Sequence, residues 1–343
     1  MKIIVDILHP ADINFYKNAL RILKTDYGVN YELIVLPRSS VVPIIQQEYP
    51  ENNFICIGNY RYSLAGKILC LIQRTILIMK YLRHIDFDIV TSFGSYGIAQ
   101  AAYLLNKPSV IFHDDVEYKL SFDSFKNFAS RIVLTSQNTI IGKNIVKYDG
   151  FKELAYLHPN YFTPNDDVLL EYGLEPLNYV LIREVSNSSF NYRNLIQGQL
   201  VDVCHHLRKM GLEVVLSLEN KALKDKFEGK CILLKEPVSD VHSLLHFALL
   251  TITSGDTMAR ESCLVGTPSI YTGGRKMSVN KVLEDKSCLF NIEANNTERI
   301  FDKVKDIIEN NVKKKTGKKI KEAIKIEWED TTKVIIDNLL GII

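Results

Sequence analysis

The sequence predicts an α/β protein built from two doubly wound domains, and three observations predict it. Short β-rich runs alternate with helical periods along most of the chain. The strand runs are apolar nearly throughout, as in parallel sheets covered on both faces. The alternation also pauses once and restarts after residue 176. Length agrees, since 343 residues hold roughly two domains of ~150 residues. An apolar share of 46% with 24% charged residues supplies two cores and excludes a disordered or collagen-like chain. Forty-two Lys+Arg stand against 40 Asp+Glu, a net charge of +2, so no global field points to a nucleic-acid partner.

In the first half, strands are expected at Lys2–Leu8, Tyr31–Pro37, Asn53–Ile57, Asp88–Ser92, Ser109–His113 and Arg131–Thr135. Helical patterns at Ile13–Lys24, Val41–Glu48, Ser63–His84 and Ile98–Leu105 separate them. Ligands of such sheets bind at the loops after strand C-termini, which directs attention to His9–Asn14, Phe93–Gly97 and His113–Glu117. Residues 1–150 form the first domain on this reading, and 151–176, with three prolines and weak periodicity, the connection. The second domain, 177–317, starts with a strand at Tyr179–Val185 and a helix at Tyr192–Met210. Strands follow at Glu213–Leu218 and Cys231–Lys235, then a helix at Val238–Phe247. A strand at Leu249–Thr253, a helix at Thr257–Val265 and a strand at Ser269–Thr272 complete it. Asn296–Asn311 is expected to be helical, and Lys318–Leu340 to be a helix amphipathic around Trp328, within a closing segment 318–343. Two like-built domains suit an active site in a cleft between them.

The six cysteines are scattered, without CxxC spacing, which fits a reducing compartment. MKIIVDILHP reads as a buried first strand, not a signal peptide, and no apolar span reaches the ~18 residues of a membrane crossing. A cytoplasmic location is expected.

TSGDTMARESCLVGTPSIYTG, Thr253–Gly273, is the most informative stretch. A glycine turn leads from a strand directly into a helix, where free N–H groups and the helix dipole favour an anion. Gly255 lets the backbone approach a ligand, Asp256 is a candidate helix cap, and Glu261 stands four residues after Thr257. A carboxylate there can accept two hydrogen bonds from the cis-diol of a ribose. Gly266-Thr267-Pro268 ends the helix. The plainer reading is a strand–turn–helix with a surface glutamate.

This stretch resembles the donor-nucleotide motif of GT-B glycosyltransferases and of the non-hydrolysing UDP-N-acetylglucosamine 2-epimerases. The chain resembles more closely a prokaryotic family of unknown function within that superfamily. HPADINFYKNAL, FDIVTSFGSYGIAQAA, FKELAYLHPNYFTP and YVLIREVS carry the likeness beside Thr253–Gly273, in the same order along the chain. The resemblance implies a GT-B fold, two Rossmann-like domains facing a cleft. It also implies a metal-independent transferase that moves a sugar from a nucleotide-diphosphate donor, a UDP-sugar, to a hydroxyl acceptor. Surface polysaccharide or glycolipid synthesis is the implied setting, with the nucleotide-sugar as co-substrate and no separate cofactor. Ser254, Gly255, Asp256, Thr257 and Met258 would present groups to the diphosphate, and Glu261 would hold the ribose. Arg183 would neutralise phosphates, its alternative being a carboxylate partner such as Glu184. Ser186–Ser189 are candidate extra donors.

Proton transfer is expected from the first domain, with His9, Asp12 or Asp114 as base. Asp12 stands where the related family more often shows a histidine. Gly94, Ser95, His113 and Asp115 would line the acceptor side. The runner-up is a nucleotide-sugar epimerase or hydrolase. The epimerases carry Gly-Asp-Thr where this chain has Gly94-Ser95, and a His-Arg pair where it has Ile182-Arg183, so transfer is preferred. A third reading is a sugar-nucleotide-binding protein without catalysis.

Three weaker signals remain. Ser63–His84 is basic and apolar, which suits a membrane interface, although a core helix with a charged outer face is the plainer reading. KKKTGKKIK, Lys313–Lys321, reads as a solvated turn between helices. His242 and His246 are spaced for a metal but lack a third ligand, so a structural role is expected.

Overall fold

The computed structural model describes residues 1–38, 41–50, 54–59, 64–187, 192, 195–235, 238 and 240–342. They form two compact units, Met1–His158 with Trp328–Ile343, and Pro159–Glu327.

In the first unit the order is β1 (Lys2–Ile7), α1 (Pro10–Tyr27), β2 (Asn30–Val35), α2 (Val41–Glu48), β3 (Phe54–Cys56) and α3 (Leu64–Leu82). It continues with β4 (Ile89–Phe93), α4 (Tyr96–Leu104), β5 (Ser109–His113), α5 (Lys119–Phe125), β6 (Arg131–Thr135), β7 (Ile145–Tyr148) and α6 (Leu154–Leu157). The strands make one parallel seven-stranded sheet, β3-β2-β1-β4-β5-β6-β7. Ile4, Val90, Ile111 and Ile132 fill one core with Ile78 and Leu82 of α3 and Ala99, Ala101 and Ala102 of α4. The run of small residues lets α4 lie close to the strands. Pro10 opens α1 and Gly28, at φ 64°, closes it in the left-handed conformation.

The second unit runs α7 (Asp167–Tyr172), β8 (Tyr179–Glu184), α8 (Val201–Lys209), β9 (Glu213–Leu218), α9 (Lys224–Phe227), β10 (Ile232–Leu233) and α10 (Val241–Phe247). Then come β11 (Leu250–Thr253), α11 (Asp256–Leu264), β12 (Ser269–Tyr271), α12 (Ser278–Asp285), β13 (Leu289–Asn291), α13 (Thr297–Glu309) and α14 (Val312–Ile326). Its parallel sheet is β10-β9-β8-β11-β12-β13. Both sheets reverse their winding once, between β1 and β4 and between β8 and β11. In each unit the reversal opens a crevice outside the strand C-termini, the usual ligand position of such sheets.

Several expectations are corrected. The interval 151–176 is not one linker, since residues up to His158 pack in the first unit and those from Pro159 in the second. Lys318–Leu340 is two helices, α14 and α15 (Thr331–Leu340), and α15 belongs to the first unit. Thr331 Oγ1 donates to Phe151 O at 2.8 Å, and Thr332 Oγ1 to Ala155 O at 2.7 Å. KKKTGKKIK lies inside α14, because Thr316, Ile320 and Ala323 share a buried face. Gly317 in that run stands against the turn at Gly266, where a Cβ would come within 3.1 Å of the Gly317 Cα. The helix expected from Tyr192 begins only at Val201. Ser63, at the start of the expected third helix, lies outside the described residues. The outer face of α3 is not chiefly charged. It exposes Leu69, Ile72, Ile76 and Leu77 with Lys80, and exposed Arg83 follows just past its end, while Arg74 turns inward.

Candidate functional site

In the second unit, the crevice between β8 and β11 holds the turn into α11. Val185 N donates to Ser254 Oγ at 2.9 Å and Gly255 N to Thr253 Oγ1 at 3.0 Å, which ties the turn to both strands. Gly255, not Asp256, occupies the cap position. Asp256 starts the helix, and its Oδ1 accepts from Thr257 N at 2.8 Å and from the Tyr192 hydroxyl at 2.9 Å. Its Oδ2 pairs with Arg275. A carboxylate and a guanidinium thus meet at the positive end of a helix, an end that favours an anion and that a phosphate group would take by replacing the Asp256 carboxylate on Thr257 N and Arg275. Thr257 is half-buried, and Met258 is buried beside it.

One turn further, Glu261 is 7% exposed and its Oε1 lies 3.2 Å from His242 Nε2. His246, the other member of the spaced pair, places Nδ1 2.8 Å from Val265 O. The two imidazoles therefore serve different partners: His242 orients the Glu261 carboxylate, and His246 ties α10 to the end of α11. Arg183 donates to Ser217 Oγ at 2.6 Å and to Glu219 Oε1 at 2.5 Å, on the β9 side. Its carboxylate partner is Glu219 and not Glu184. The guanidinium brought to the α11 turn is that of Arg275, which sequence reasoning missed. Also missed was Arg260, buried in α11 and donating to Asn280 Oδ1 at 3.0 Å, which locks α11 to α12. Ser186 N donates to Glu219 Oε2 at 2.8 Å, while Ser188 and Ser189 lie outside the described residues.

In the first unit, loops after β1, β4, β5 and β7 deliver the candidate residues. Asp6, in β1 and fully buried, takes a two-pronged contact from Arg74, at 2.8 Å and 2.5 Å. Ser95 Oγ donates to the same carboxylate at 2.5 Å. Ser95 therefore faces inward, and Arg74 Nε donates to Ile57 O at 3.0 Å. Gly94, at φ +68°, passes so close to His113 that a Cβ would lie 2.8 Å from Nδ1. His113 is buried among Phe93, Phe122 and Phe125, with Nε2 3.0 Å from Asp115 O. Desolvation lowers its pKa, so the ring is neutral. His113 thus braces the Gly94 turn from inside.

His9 is exposed. Its pKa lies below the ordinary value through desolvation first, then through the charges of Arg38 and Lys152. Solvent contact softens the first of these. Asp12 is 3% exposed, and its Oδ2 accepts from Leu8 N and His9 N, both at 2.9 Å. Burial pushes its carboxyl up to about 7, against those two hydrogen bonds and Lys152. Asp114, also buried, is 3.1 Å from Lys152 Nζ. Lys152 is the residue of this rim that sequence reasoning passed over.

Asp12 sets a pH dependence. An acid whose folded pKa exceeds its unfolded value stabilises most below the unfolded value, and that contribution is lost as pH rises towards the folded one. The first unit should lose up to about 4 kcal/mol of stability between about pH 4 and pH 7 on this account. Asp12→Asn keeps an acceptor for Leu8 N and His9 N and should flatten that slope in urea unfolding. An unchanged slope overturns the assignment.

The comparisons with known proteins agree with this architecture. The family described as protein of unknown function (DUF354) matches residues 1–342. An uncharacterized protein of Methanocaldococcus jannaschii is 23% identical over 352 residues, covering 98% of this chain and 96% of its own. The UDP co-structure of S. aureus MnaA superposes with a TM-score of 0.72 at 12% identity, over 100% of this chain and 97% of that one. UDP-N-acetylglucosamine 2-epimerase of Rickettsia bellii gives 0.72 at 14%, over 99% and 96%. Acinetobacter baumannii MurG gives 0.65 at 13%, over 99% and 100%. The fold is that of the GT-B class, two Rossmann-like α/β domains.

Proposed function

The chain belongs to the family described as protein of unknown function (DUF354), and from that premise we propose a glycosyltransferase that moves a sugar from a UDP-sugar to a hydroxyl acceptor. The observation that carries the reading is Glu261, a nearly buried carboxylate held by His242 one turn inside a helix whose first turn suits a diphosphate. In this reading the α11 turn and Arg275 take the diphosphate, Glu261 takes the ribose diol, and Arg183 supports the floor of the site through Glu219. The S. aureus MnaA structure that shares the fold is a complex with UDP, which supports UDP as the nucleotide.

Epimerisation is the second reading, favoured by the 2-epimerases of the same fold. Against it stands Ser95 in place of the family's aspartate. Asp6 does put a carboxylate beside Ser95, but Arg74 holds both of its oxygens, so it is poorly placed to exchange protons with a sugar. The exposed apolar stripe of α3, rimmed by Lys80 and Arg83, supports a lipid-linked acceptor met at a membrane surface. No helix among the described residues is long and apolar enough to cross a membrane.

Calorimetric titration tests the nucleotide site. UDP should bind and GDP or CMP bind more weakly, and Glu261→Ala should weaken UDP by at least about 10-fold through two lost hydrogen bonds. Equal binding by wild type and Glu261→Ala, or no binding of UDP, ends the assignment. Conversion of a UDP-sugar to its epimer without acceptor would favour the second reading.

A further inference from the structure

We propose that Lys152 is the positioning residue of the first unit's rim, its ammonium fixing Asp114 as the proton acceptor for the incoming hydroxyl. The proposal rests on the transferase reading above and deepens it. Lys152 stands in the loop between β7 and α6, after a strand that the sequence does not reveal. Its side chain is only 14% exposed, with Nζ 3.1 Å from Asp114 Oδ2 and 4.9 Å from the centre of the Phe93 ring. A carboxylate and an aromatic face on two sides hold a long, flexible side chain in one place.

The other two candidate bases are less suited to the role. Asp12 spends one oxygen on Leu8 N and His9 N, which builds the start of α1. His9 lies near two cations, Arg38 and Lys152, and both oppose its protonation. A proton taken from a hydroxyl would therefore meet electrostatic resistance at His9. The same ammonium opposes protonation at Asp114 as well, but its contact at 3.1 Å keeps that carboxylate ionised and in one orientation, as an acceptor of the hydroxyl proton needs. The hydroxyl proton passes to Asp114 as the hydroxyl oxygen bonds to the anomeric carbon. The bond from that carbon to the diphosphate breaks, and the nucleoside diphosphate leaves with its electron pair. Lys152 stays protonated throughout.

The titratable groups around Lys152 and Asp114 include His113 and Asp115 from the end of β5, His9 and Asp12 from the start of α1, Tyr148 at the end of β7 and the neighbouring Glu153. Arg38 acts further on His9, and Asp6 on Asp12. Removing the ammonium should therefore move several groups in one direction. Carboxyl and imidazole NMR titrations of Lys152→Met should show the midpoints of Asp12 and His9 both displaced upward, and Lys152→Arg should leave them near wild type. This measurement needs no substrate, so it decides the placement of Lys152 even if no turnover is found.

The kinetic arm uses UDP-N-acetylglucosamine as donor and water as acceptor, with release of UDP as the readout. Lys152→Met should lower kcat by at least about 30-fold with KM within about 2-fold, and shift the acidic limb of its pH profile upward. Lys152→Arg should recover most of the loss. UDP titration of Lys152→Met should match wild type; failure of wild type to bind UDP would instead count against the nucleotide site. Midpoints that do not move in Lys152→Met, or a loss of kcat equal in Lys152→Met and Lys152→Arg without a pH shift, would overturn the proposal.

Discussion

Arg74→Met should destabilise the first unit by about 3–5 kcal/mol, the largest single loss expected in the chain. Asp6 is fully buried and receives both prongs of the guanidinium, with Ser95 as a third donor. Taking the charge away strands a carboxylate in the sheet interior, which must then unfold its surroundings or take up a proton. The same arginine bonds Ile57 O, so the loss also loosens the end of β3. Trp328 is the chain's single tryptophan and packs edge-on against Phe151 at 4.8 Å in this unit, so its fluorescence reports the relevant transition in urea. Asp6→Asn combined with Arg74→Met should regain most of the loss, because neither charge then remains. A single variant within about 1 kcal/mol of wild type, or a double variant no better than the single, contradicts this account.

Gly273→Ala should cost about 3 kcal/mol in the second unit and abolish UDP binding along with it. A Cβ there would lie 2.3 Å from Ser254 O and 2.5 Å from the Tyr271 hydroxyl. Neither neighbour can give way cheaply. Ser254 is tied to Val185, and Tyr271 is a buried strand residue whose hydroxyl accepts from Arg275 N at 3.4 Å. The displaced groups are those that frame the α11 turn, so stability and nucleotide affinity should fall together. Gly274→Ala is the internal control. Its φ of +71° carries backbone strain of about 1 kcal/mol, but a Cβ there meets nothing within 4 Å. Thermal unfolding of the two variants should separate clearly. Equal melting temperatures would mean that the close approach at Gly273 relaxes freely.

Strand positions and their alternation with helices were readable because parallel strands bury both faces and so appear as unbroken apolar runs, as in IIV of β1 and SVIFH of β5. Where burial is one-sided the signal fades. Ile145–Tyr148 and Leu289–Asn291 lie at sheet edges with exposed positions, and neither was foreseen. Leu195, Ile196 and Leu200 imitated a helical period in a segment that turns instead. A lysine run around Gly317 masked three buried positions and so hid part of α14. The site divides in the same way. Glu261 and the α11 turn were legible because strand, glycine and helix follow one another within a dozen residues. Lys152 and Arg275 were not, because each comes from a loop remote in sequence from the partner it meets. Arg183 was legible as a residue but not as a contact, since its partner Glu219 comes from the neighbouring strand's end.

The closing helix α15 has a consequence for synthesis. It packs on α1 and α6, through Thr331 and Thr332 and with Arg131 Nη1 donating to Asn338 O at 3.0 Å. The first unit is thus completed by residues that leave the ribosome after the whole of Pro159–Glu327. Its sheet is translated early, yet the apolar surface that Val334, Ile335 and Leu339 cover must wait uncovered until the second unit has emerged. No single cut in the chain releases either unit intact. An independent first unit has to carry its last helix on a new linker, from after His158 to before Trp328.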